Sequence, residues 1–245
     1  MSDISRPDRF RGVVDLTREV TVERPTVYVY EAPVRMWHWV NALAIVVLAV
    51  SGYLIGSPPP TLSGEASAHF QFGYIRFAHF AAGYVLAIGF LARILWGLIG
   101  NRHSRQIFYL PVWNRTWWRG VIWELRWYSF NVAEPKKYIA HNPLAQISMF
   151  FVITLGTIGM ILTGFALYSE TEGPDSWQAK LFGWVFSIFP NSQDVRTFHH
   201  LGMWVIVSFA IVHVYAAVRE EIMSRQTVIA TMISGERQFR DERDD

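Results

Sequence analysis

Two histidines near the end of the chain, His199 and His213, lie fourteen residues apart on one long apolar segment. Imidazole nitrogens are common ligands of transition metals. In an α-helix, fourteen residues return to within about 40° of the starting direction and rise roughly 21 Å. One helix would therefore present two ligands on one face at two depths. His200 would point about 220° away from His213, so we expect His199 to be the ligand of the adjacent pair.

The composition indicates that this helix lies in a membrane. Hydrophobic residues make up 51% of the chain and charged residues 17%. Four largely apolar stretches are each long enough to cross a hydrocarbon core of roughly 30 Å. The predicted spans are residues 34–56, 74–100, 143–168 and 195–218. We expect an all-α integral membrane protein. An N-terminal segment (1–33) would precede a four-helix transmembrane domain (34–221), and a C-terminal tail (222–245) would follow it. The domain would contain an amphipathic inner loop (101–142).

The basic residues predict how the bundle is oriented. Arginines and lysines concentrate in the N-terminal segment, in the loop after span two and in the tail. The loops after spans one and three contain only Lys180 away from the helix starts. By the positive-inside rule, both termini are expected in the cytoplasm. No cleavable signal peptide is expected, and span one would serve as the insertion signal.

The residue types exclude several kinds of site. The chain contains no cysteine, which excludes covalent C-x-x-C-H haem attachment, cysteine-ligated iron–sulfur clusters and disulfides. It also contains no Gly-rich phosphate loop, H-E-x-x-H motif or nucleophile elbow. A conventional catalytic centre is therefore not expected.

The intramembrane histidines fall at two depths. His38 lies near the inner start of span one and His213 near the inner end of span four, whereas His79 and His199 lie near the outer starts of spans two and four. Two imidazoles from different helices can ligate one haem iron from opposite sides. The pattern predicts two non-covalent haem b groups, an outer one at His79 and His199 and an inner one at His38 and His213. A divalent metal site or a proton relay is the alternative, and His69 is a rival of His79.

Three of these histidines follow an arginine by three residues; the arginines are Arg35, Arg76 and Arg196. Residues i and i+3 share a helix face, so each guanidinium could pair with a haem propionate above its imidazole. The alternative is that these arginines only extend to the membrane interface.

Glycines also occur near the histidines. Gly83 follows His79 by four residues, and Gly202 follows His199 by three. Gly52 follows His38 by fourteen and should lie at the outer depth. We expect Gly52, Gly83 and Gly202 either to leave room for a flat macrocycle or to serve ordinary helix packing.

The loops suggest membrane contacts. Residues 113–130 mix five tryptophans with arginines, which is typical of a short amphipathic helix in the headgroup layer. Residues 177–189 form an aromatic outer loop, which would lie in the interface or dock a partner. The charged tail after Ser234 is expected to be mobile.

Several motifs together carry a family resemblance: RMWHWVN, GYIRFAHFAAGYV, GNRHSRQIFYLPVWNRTWWRG, HNPLAQ, TGFALYSE and the segment from TFHHLGMWV to SGERQF. The chain resembles, from about Tyr28 onward, the b-type cytochrome subunit of respiratory nickel–iron uptake hydrogenases. The family's haem ligands match His38, His79, His199 and His213. Members of this family do not always retain both haems.

The resemblance implies a function and partners. The chain would anchor a hydrogenase heterodimer at the periplasmic face of a bacterial inner membrane, without oxidising H2 itself. Electrons from the iron–sulfur clusters of the small subunit, which is bound to the large subunit, would pass through haem b to a quinone near the cytoplasmic side. His103 and His141 of the inner loop are expected to be solvated or interfacial, although a quinone site could recruit either. Membrane lipid is an expected partner, and nucleic acid is not.

Two competing functions remain. A dihaem cytochrome b of formate dehydrogenase or another quinone-linked enzyme would share the histidine pattern, although the loop motifs favour hydrogenase. A membrane transporter or metal-binding protein would use the histidines for protons or zinc.

Overall fold

The computed structural model describes residues 26–60, 63–65 and 69–239 of the chain. The N-terminal residues 1–25 and the tail residues 240–245 lie outside the described residues. The elements in chain order are β1 (Thr26–Tyr28), α1 (Ala32–Gly56), α2 (Gln71–Ile99), a 3₁₀ turn (Gln106–Phe108), α3 (Arg115–Tyr128), α4 (Pro143–Ser148), a π-helical segment (Met149–Leu155), α5 (Gly156–Glu172), α6 (Trp177–Phe182), α7 (Val185–Ile188), α8 (Ser192–Met223), α9 (Val228–Ser234) and β2 (Glu236–Gln238).

Four helical segments of the described chain are long and apolar enough to cross a membrane. They are Ala32–Gly56, Gln71–Ile99, Pro143–Glu172 and Ser192–Met223. The third comprises α4, the π-helical segment and α5. The prediction of four membrane-spanning helices is therefore confirmed, and the helix ends differ from the predicted bounds by a few residues.

Asparagine caps determine where three of the helices begin. The side-chain oxygens of Asn114, Asn142 and Asn191 accept hydrogen bonds from backbone N–H groups in the first turns of α3, α4 and α8. Such bonds satisfy donors that have no partner within the helix. In α4 the cap is followed by Pro143, whose fixed φ suits a first helical position.

The transmembrane helices form a closed bundle. Helix α1 packs along α2, α5 packs along α8, and contacts between α1 and α8 and between α2 and α5 complete it. Apolar side chains point away from the bundle, such as Leu43 and Leu98, which are 67% and 71% exposed. In a bilayer these side chains would face lipid.

A small sheet ties the two ends of the described chain together. β1 pairs antiparallel with β2, with Val27 opposite Arg237. The prediction of a mobile tail after Ser234 is therefore wrong for β2. Gly235, at φ 89°, turns the chain from α9 into β2, and the Arg237 guanidinium donates to the carbonyls of Tyr138 and Ala140. The charged residue has backbone partners that the sequence alone did not reveal.

The inner loop contains the predicted amphipathic helix, α3. Trp117 and Trp127 are buried, and their Nε1 atoms donate to Gln146 and Glu220 of neighbouring spans. These tryptophans therefore attach α3 to the bundle. Trp113, just before the helix, is 86% exposed.

The two inner-loop histidines are less solvated than expected. His103 is buried, and the ring of His141 packs at 5.7 Å from the ring of buried Tyr30. A solvated side chain is therefore the wrong expectation for His103, whereas His141 is only half-buried, and interfacial placement stays a prediction for both.

The aromatic outer loop is helical. Helices α6 and α7 pack against α5, with the rings of Phe165 and Phe182 stacked at 5.1 Å. On the surface of these two short helices, Trp184 is 50% exposed and Ile188 is 65% exposed. Interfacial placement and partner docking both remain predictions for this surface.

Candidate functional site

Four histidines come together in two pairs. The outer pair consists of His79 on α2 and His199 on α8, with ring centroids 6.4 Å apart. The inner pair consists of His38 on α1 and His213 on α8, with centroids 6.3 Å apart. Helix α8 therefore contributes one imidazole at each of two depths.

The spacing within each pair fits axial ligation of one iron. With a metal–nitrogen bond of roughly 2 Å and about 1 Å from that nitrogen to the ring centre, two axial imidazoles have centroids about 6 Å apart. Among residues 26–60, 63–65 and 69–239, no group of three or more His, Asp or Glu residues could hold a metal ion. Two protein ligands suffice for haem because the porphyrin supplies the other four. The pairs therefore suit haem better than zinc.

Each outer imidazole contacts a hydroxyl from a third helix. The Nδ1 atom of His79 lies 3.0 Å from Oγ of Ser51 on α1. The Nδ1 atom of His199 lies 2.8 Å from Oγ1 of Thr163 on α5. Both distances are those of hydrogen bonds.

The hydroxyl protons are already used within the helices. Ser51 donates to the Val47 carbonyl at 2.5 Å, and Thr163 donates to the Gly159 carbonyl at 2.7 Å. A hydroxyl has one proton, so a hydroxyl that donates to its helix carbonyl can only accept from the histidine. Nδ1 then carries the hydrogen, and Nε2 keeps a lone pair for iron. The hydroxyls thus select the tautomer that a haem ligand requires.

A glycine follows each of these hydroxyl residues and lies against the same imidazole. A Cβ on Gly52 would lie 3.2 Å from Cε1 of His79, and a Cβ on Gly164 would lie 3.2 Å from Cε1 of His199. Contacts this close would force the rings to shift. The missing side chains therefore allow the imidazoles to pack directly on α1 and α5.

The other two predicted glycines lie elsewhere. A Cβ on Gly83 would come no closer than 4.0 Å to Leu48, and one on Gly202 would meet Met160 of α5. The structure therefore places Gly52, but neither Gly83 nor Gly202, against a histidine of the two pairs.

Aromatic rings surround the inner pair. His213 stacks on Phe209 at 5.7 Å, and His38 contacts Trp39 edge-on at 5.0 Å. The Nδ1 atom of His38 is buried and has no hydrogen-bond partner in the part of the chain that the structure describes. Packing, rather than a hydroxyl, orients these rings.

The three predicted propionate partners all contact protein groups: Arg196 forms an ion pair with Glu170 at 2.5 Å, Arg76 donates to Oγ1 of Thr171 at 3.3 Å, and Arg35 donates to the Ile233 carbonyl. The two outer arginines thus meet the end of α5. Pairing with a propionate remains a prediction for all three.

The two rival histidines lie outside the pairs. His200 accepts a hydrogen bond from Nε1 of Trp204 and lies beside Gly56. His69 is exposed and lies beside Gly64, before α2 begins. His199 and His200 point to different sides of α8 because adjacent residues of a helix are about 100° apart.

Sequence reasoning missed three residues of the outer site: Ser51, Thr163 and Gly164. The available signal was a repeated pair, a hydroxyl residue followed directly by glycine, on two apolar spans. Such pairs are frequent in membrane helices for packing alone. Only the bundle geometry shows that both contact a histidine.

Comparison with known proteins identifies the family. Residues 29–235 match the family described as prokaryotic cytochrome b561. Proteins called probable Ni/Fe-hydrogenase B-type cytochrome subunit are similar: that of Bradyrhizobium diazoefficiens is 65% identical over 96% of this chain and 95% of its own length, and that of Cupriavidus necator is 62% identical over 87% and 88%. The probable Ni/Fe-hydrogenase 1 B-type cytochrome subunit of Escherichia coli is 49% identical over 86% of this chain and 90% of its own length. The resemblance predicted from the sequence motifs is confirmed: this chain is a b-type cytochrome with four membrane-spanning helices and belongs to the prokaryotic cytochrome b561 family.

Proposed function

We propose that this chain carries electrons from a nickel–iron hydrogenase to the membrane quinone pool and anchors that enzyme to the membrane. The outer pair and the inner pair would each hold one haem b. The observation that carries the proposal is the occurrence of two imidazole pairs, each at the separation of axial haem ligands, at two depths of one bundle.

The protein's role is to hold and insulate these positions. Haem b, when bound, accepts and releases one electron at a time. His79 and His199 are oriented by hydroxyls, and His38 and His213 by aromatic packing. The surrounding apolar helices exclude water, so burial and hydrogen bonding would tune the potentials.

The proposed orientation follows from the basic loops. Both termini would lie in the cytoplasm of a bacterium, and the outer pair would lie near the periplasm. The hydrogenase small subunit, with its iron–sulfur clusters and the large subunit, would dock on that outer face. If quinone takes its protons from the cytoplasm, moving each electron inward against 100 mV stores about 2.3 kcal/mol.

The names of the relatives favour a hydrogenase partner over formate dehydrogenase. Each of the three relatives described above is named as a Ni/Fe-hydrogenase subunit. The histidine pairs alone would suit either enzyme, so the partner assignment depends on this similarity and on the loop motifs.

Purification of the chain with its partners tests the proposal. The complex should contain a cluster-bearing hydrogenase subunit, and its reduced-minus-oxidised spectrum should show a sharp α-band. In sealed vesicles, H2-driven quinone reduction should generate a membrane potential. Absence of haem would overturn the cofactor assignment, and an electroneutral reaction would overturn the proposed orientation of electron and proton transfer.

A further inference from the structure

A buried arginine lies inside the second membrane-spanning helix. Arg93 of α2 is 3% exposed, and it follows His79 by fourteen residues, the spacing that also separates His199 from His213 on α8. Fourteen residues of a helix return to within about 40° of the starting direction and rise roughly 21 Å. His79 faces the bundle interior, where it meets His199. Arg93 therefore lies on the same interior face of α2, at the depth of the inner pair.

The contacts of Arg93 leave its charge without a carboxylate. Its Nη2 atom donates to the backbone carbonyl of Ser104 in the inner loop. Its guanidinium carbon lies 5.4 Å and 5.1 Å from the ring centroids of Trp37 and Phe108. Its Nε and Nη1 atoms are buried and have no hydrogen-bond partner in the part of the chain that the structure describes. Cation–π contacts offset only part of the cost of burying a cation, so an anionic partner would stabilise this side chain.

A second buried donor lies close to the guanidinium. Trp37 directly precedes His38 on α1, and its Nε1 atom is buried without a hydrogen-bond partner over the same described ranges. The indole lies against Gly89, one turn before Arg93, where a Cβ would be 3.9 Å from Nε1. Unsatisfied buried donors are rare in folded proteins. Neighbouring donors on α1 and α2 therefore fit an anionic oxygen ligand, either a carboxylate or a phosphate.

The guanidinium and the inner pair act on the same side chain. Burial lowers the pKa of His141 to about 3, and the charges that lower it further are those of Arg237, His213, Arg93 and His38. Arg93 therefore lies in the electrostatic neighbourhood of both imidazoles of the inner pair. Haem b has two propionate carboxylates on one edge of the macrocycle, and arginine is the usual partner of such groups.

We propose that the Arg93 guanidinium binds a propionate of the inner haem, with the indole N–H of Trp37 as a second donor. This inference rests on the proposed function, because it requires a haem at the inner pair. Pairing would remove much of the cost of burying either charge alone. A cation beside the haem also favours reduced iron, because reduction adds a negative charge. Arg93 would therefore raise the potential of the inner haem.

A phospholipid phosphate is the competing anion, because it has the same chemistry. The position of Arg93 on α2 favours the haem. Lipid would contact the opposite side of this helix, where Leu91 and Leu95 are 58% and 55% exposed. Arg93 lies on the interior face instead, so a ligand would reach it from the side of the inner pair.

The test uses the purified complex of this chain with its hydrogenase. Arg93→Met removes the charge, Arg93→Lys retains it, and Trp37→Phe retains a ring but removes the indole N–H. Arg105→Met is the matched control, because it removes the same charge from an exposed position in the inner loop. Three readouts are compared: haem per chain, the potentials of both haems from redox titration, and the propionate bands of the resonance Raman spectrum. His38→Ala, which should retain the outer haem alone, identifies the inner potential.

Arg93→Met should lower the potential of the inner haem by up to about 60 mV, a tenfold change in the equilibrium constant of a one-electron couple. It should also shift a propionate Raman band and weaken retention of the inner haem several-fold. Arg93→Lys should restore most of the potential, and Trp37→Phe should cause a smaller shift in the same direction. Arg105→Met should resemble the wild type, and the outer haem should be unchanged in all four variants.

Two results would overturn the inference. Wild-type potentials and Raman bands in Arg93→Met would show that Arg93 only attaches the inner loop through Ser104. Loss of co-purifying phospholipid in Arg93→Met, with both potentials unchanged, would identify a lipid site. If Arg93→Met does not assemble, wild-type potentials and bands in both Arg93→Lys and Trp37→Phe would overturn it equally.

The wild-type complex distinguishes failure of this inference from failure of the proposed function. A wild type that contains two haems, with Arg93 variants that change neither potential nor Raman band, would refute the propionate contact alone. A wild type that contains only the outer haem would refute the inner haem of the proposed function, and the propionate contact with it.

Discussion

The outer and inner histidine pairs have nearly the same separation but different surroundings. In the outer pair, each Nδ1 contacts a hydroxyl, from Ser51 or Thr163. In the inner pair, Nδ1 of His38 is buried and has no hydrogen-bond partner among the residues that the structure describes. The ring of Phe209 stacks on His213. One bundle thus orients imidazoles in two ways, by hydrogen bonds to hydroxyls and by aromatic packing.

This difference has consequences for electron transfer. A hydrogen bond from Nδ1 makes an imidazole a more basic ligand, which stabilises ferric iron and lowers the potential. Other factors being equal, the outer haem should have the lower potential, and electrons should move downhill from the outer to the inner position. The outer ligands should also be held in one orientation more firmly than the inner ones.

Removal of an axial ligand should have the largest effect. His199→Ala should remove the outer haem and halve the haem content, because iron loses one of its two protein ligands. His200→Ala should leave both haems, since His200 contacts Trp204 instead. The measurement is haem per chain from the pyridine haemochrome spectrum.

Inner-site variants complete this comparison. His38→Ala should remove the inner haem alone, and the inner haem should be lost first during purification because Nδ1 of His38 has no hydrogen-bond partner among the described residues. Loss of both haems from either single variant would show that the two sites are not independent.

A methyl group at Gly164 should have an intermediate effect. Its Cβ would lie 3.2 Å from Cε1 of His199, so the ring must shift by a few tenths of an ångström. Gly164→Ala should change the low-spin ferric EPR signal of the outer haem and weaken its retention several-fold. Gly83→Ala is the control, because its Cβ would come no closer than 4.0 Å to Leu48. Identical spectra for the two variants would argue against close packing on the histidine.

Removal of the hydroxyls should shift the outer potential without loss of haem. Ser51→Ala combined with Thr163→Val should raise the potential of the outer haem by up to about 60 mV. For a one-electron couple this shift is a tenfold change in the equilibrium constant. Redox titration of the visible spectrum measures the shift. Thr163→Ser should restore the wild-type value at that ligand, and Ser169→Ala, which loses only a bond to the Ala166 carbonyl, should have no effect. A shift in the potential of the inner haem instead would contradict the assignment of these hydroxyls to the outer haem.

The smallest effect is expected on the inner side, at Glu124, and concerns stability. Its pKa is raised from 4.5 to about 7, mainly by burial, so the folded state binds the proton more tightly than the unfolded state. Its contribution to stability is therefore present below about pH 4.5 and declines as the pH rises through 7. Thermal melts should show a lower Tm at pH 8 than at pH 5.5, and Glu124→Gln should reduce that difference. Histidine variants of the outer pair should leave it unchanged.

Much of the fold was predictable because its signals are local. Apolar length identified four spans, and the 100° period separated His199 from His200. The tail and the inner loop were not predictable in this way. Arg237 and His141 are polar residues that sequence reasoning assigns to solvent, yet their partners, Ala140 and Tyr30, are distant in the chain.

The sequence by itself determined the membrane class, the helix that presents two imidazoles and their two depths, because helical periodicity and hydropathy depend on nearby residues. Only the tertiary structure decided which hydroxyls contact the outer imidazoles. Those contacts join residues from separate helices, and their hydrogen bonds depend on helix rotation and packing, which no local pattern specifies.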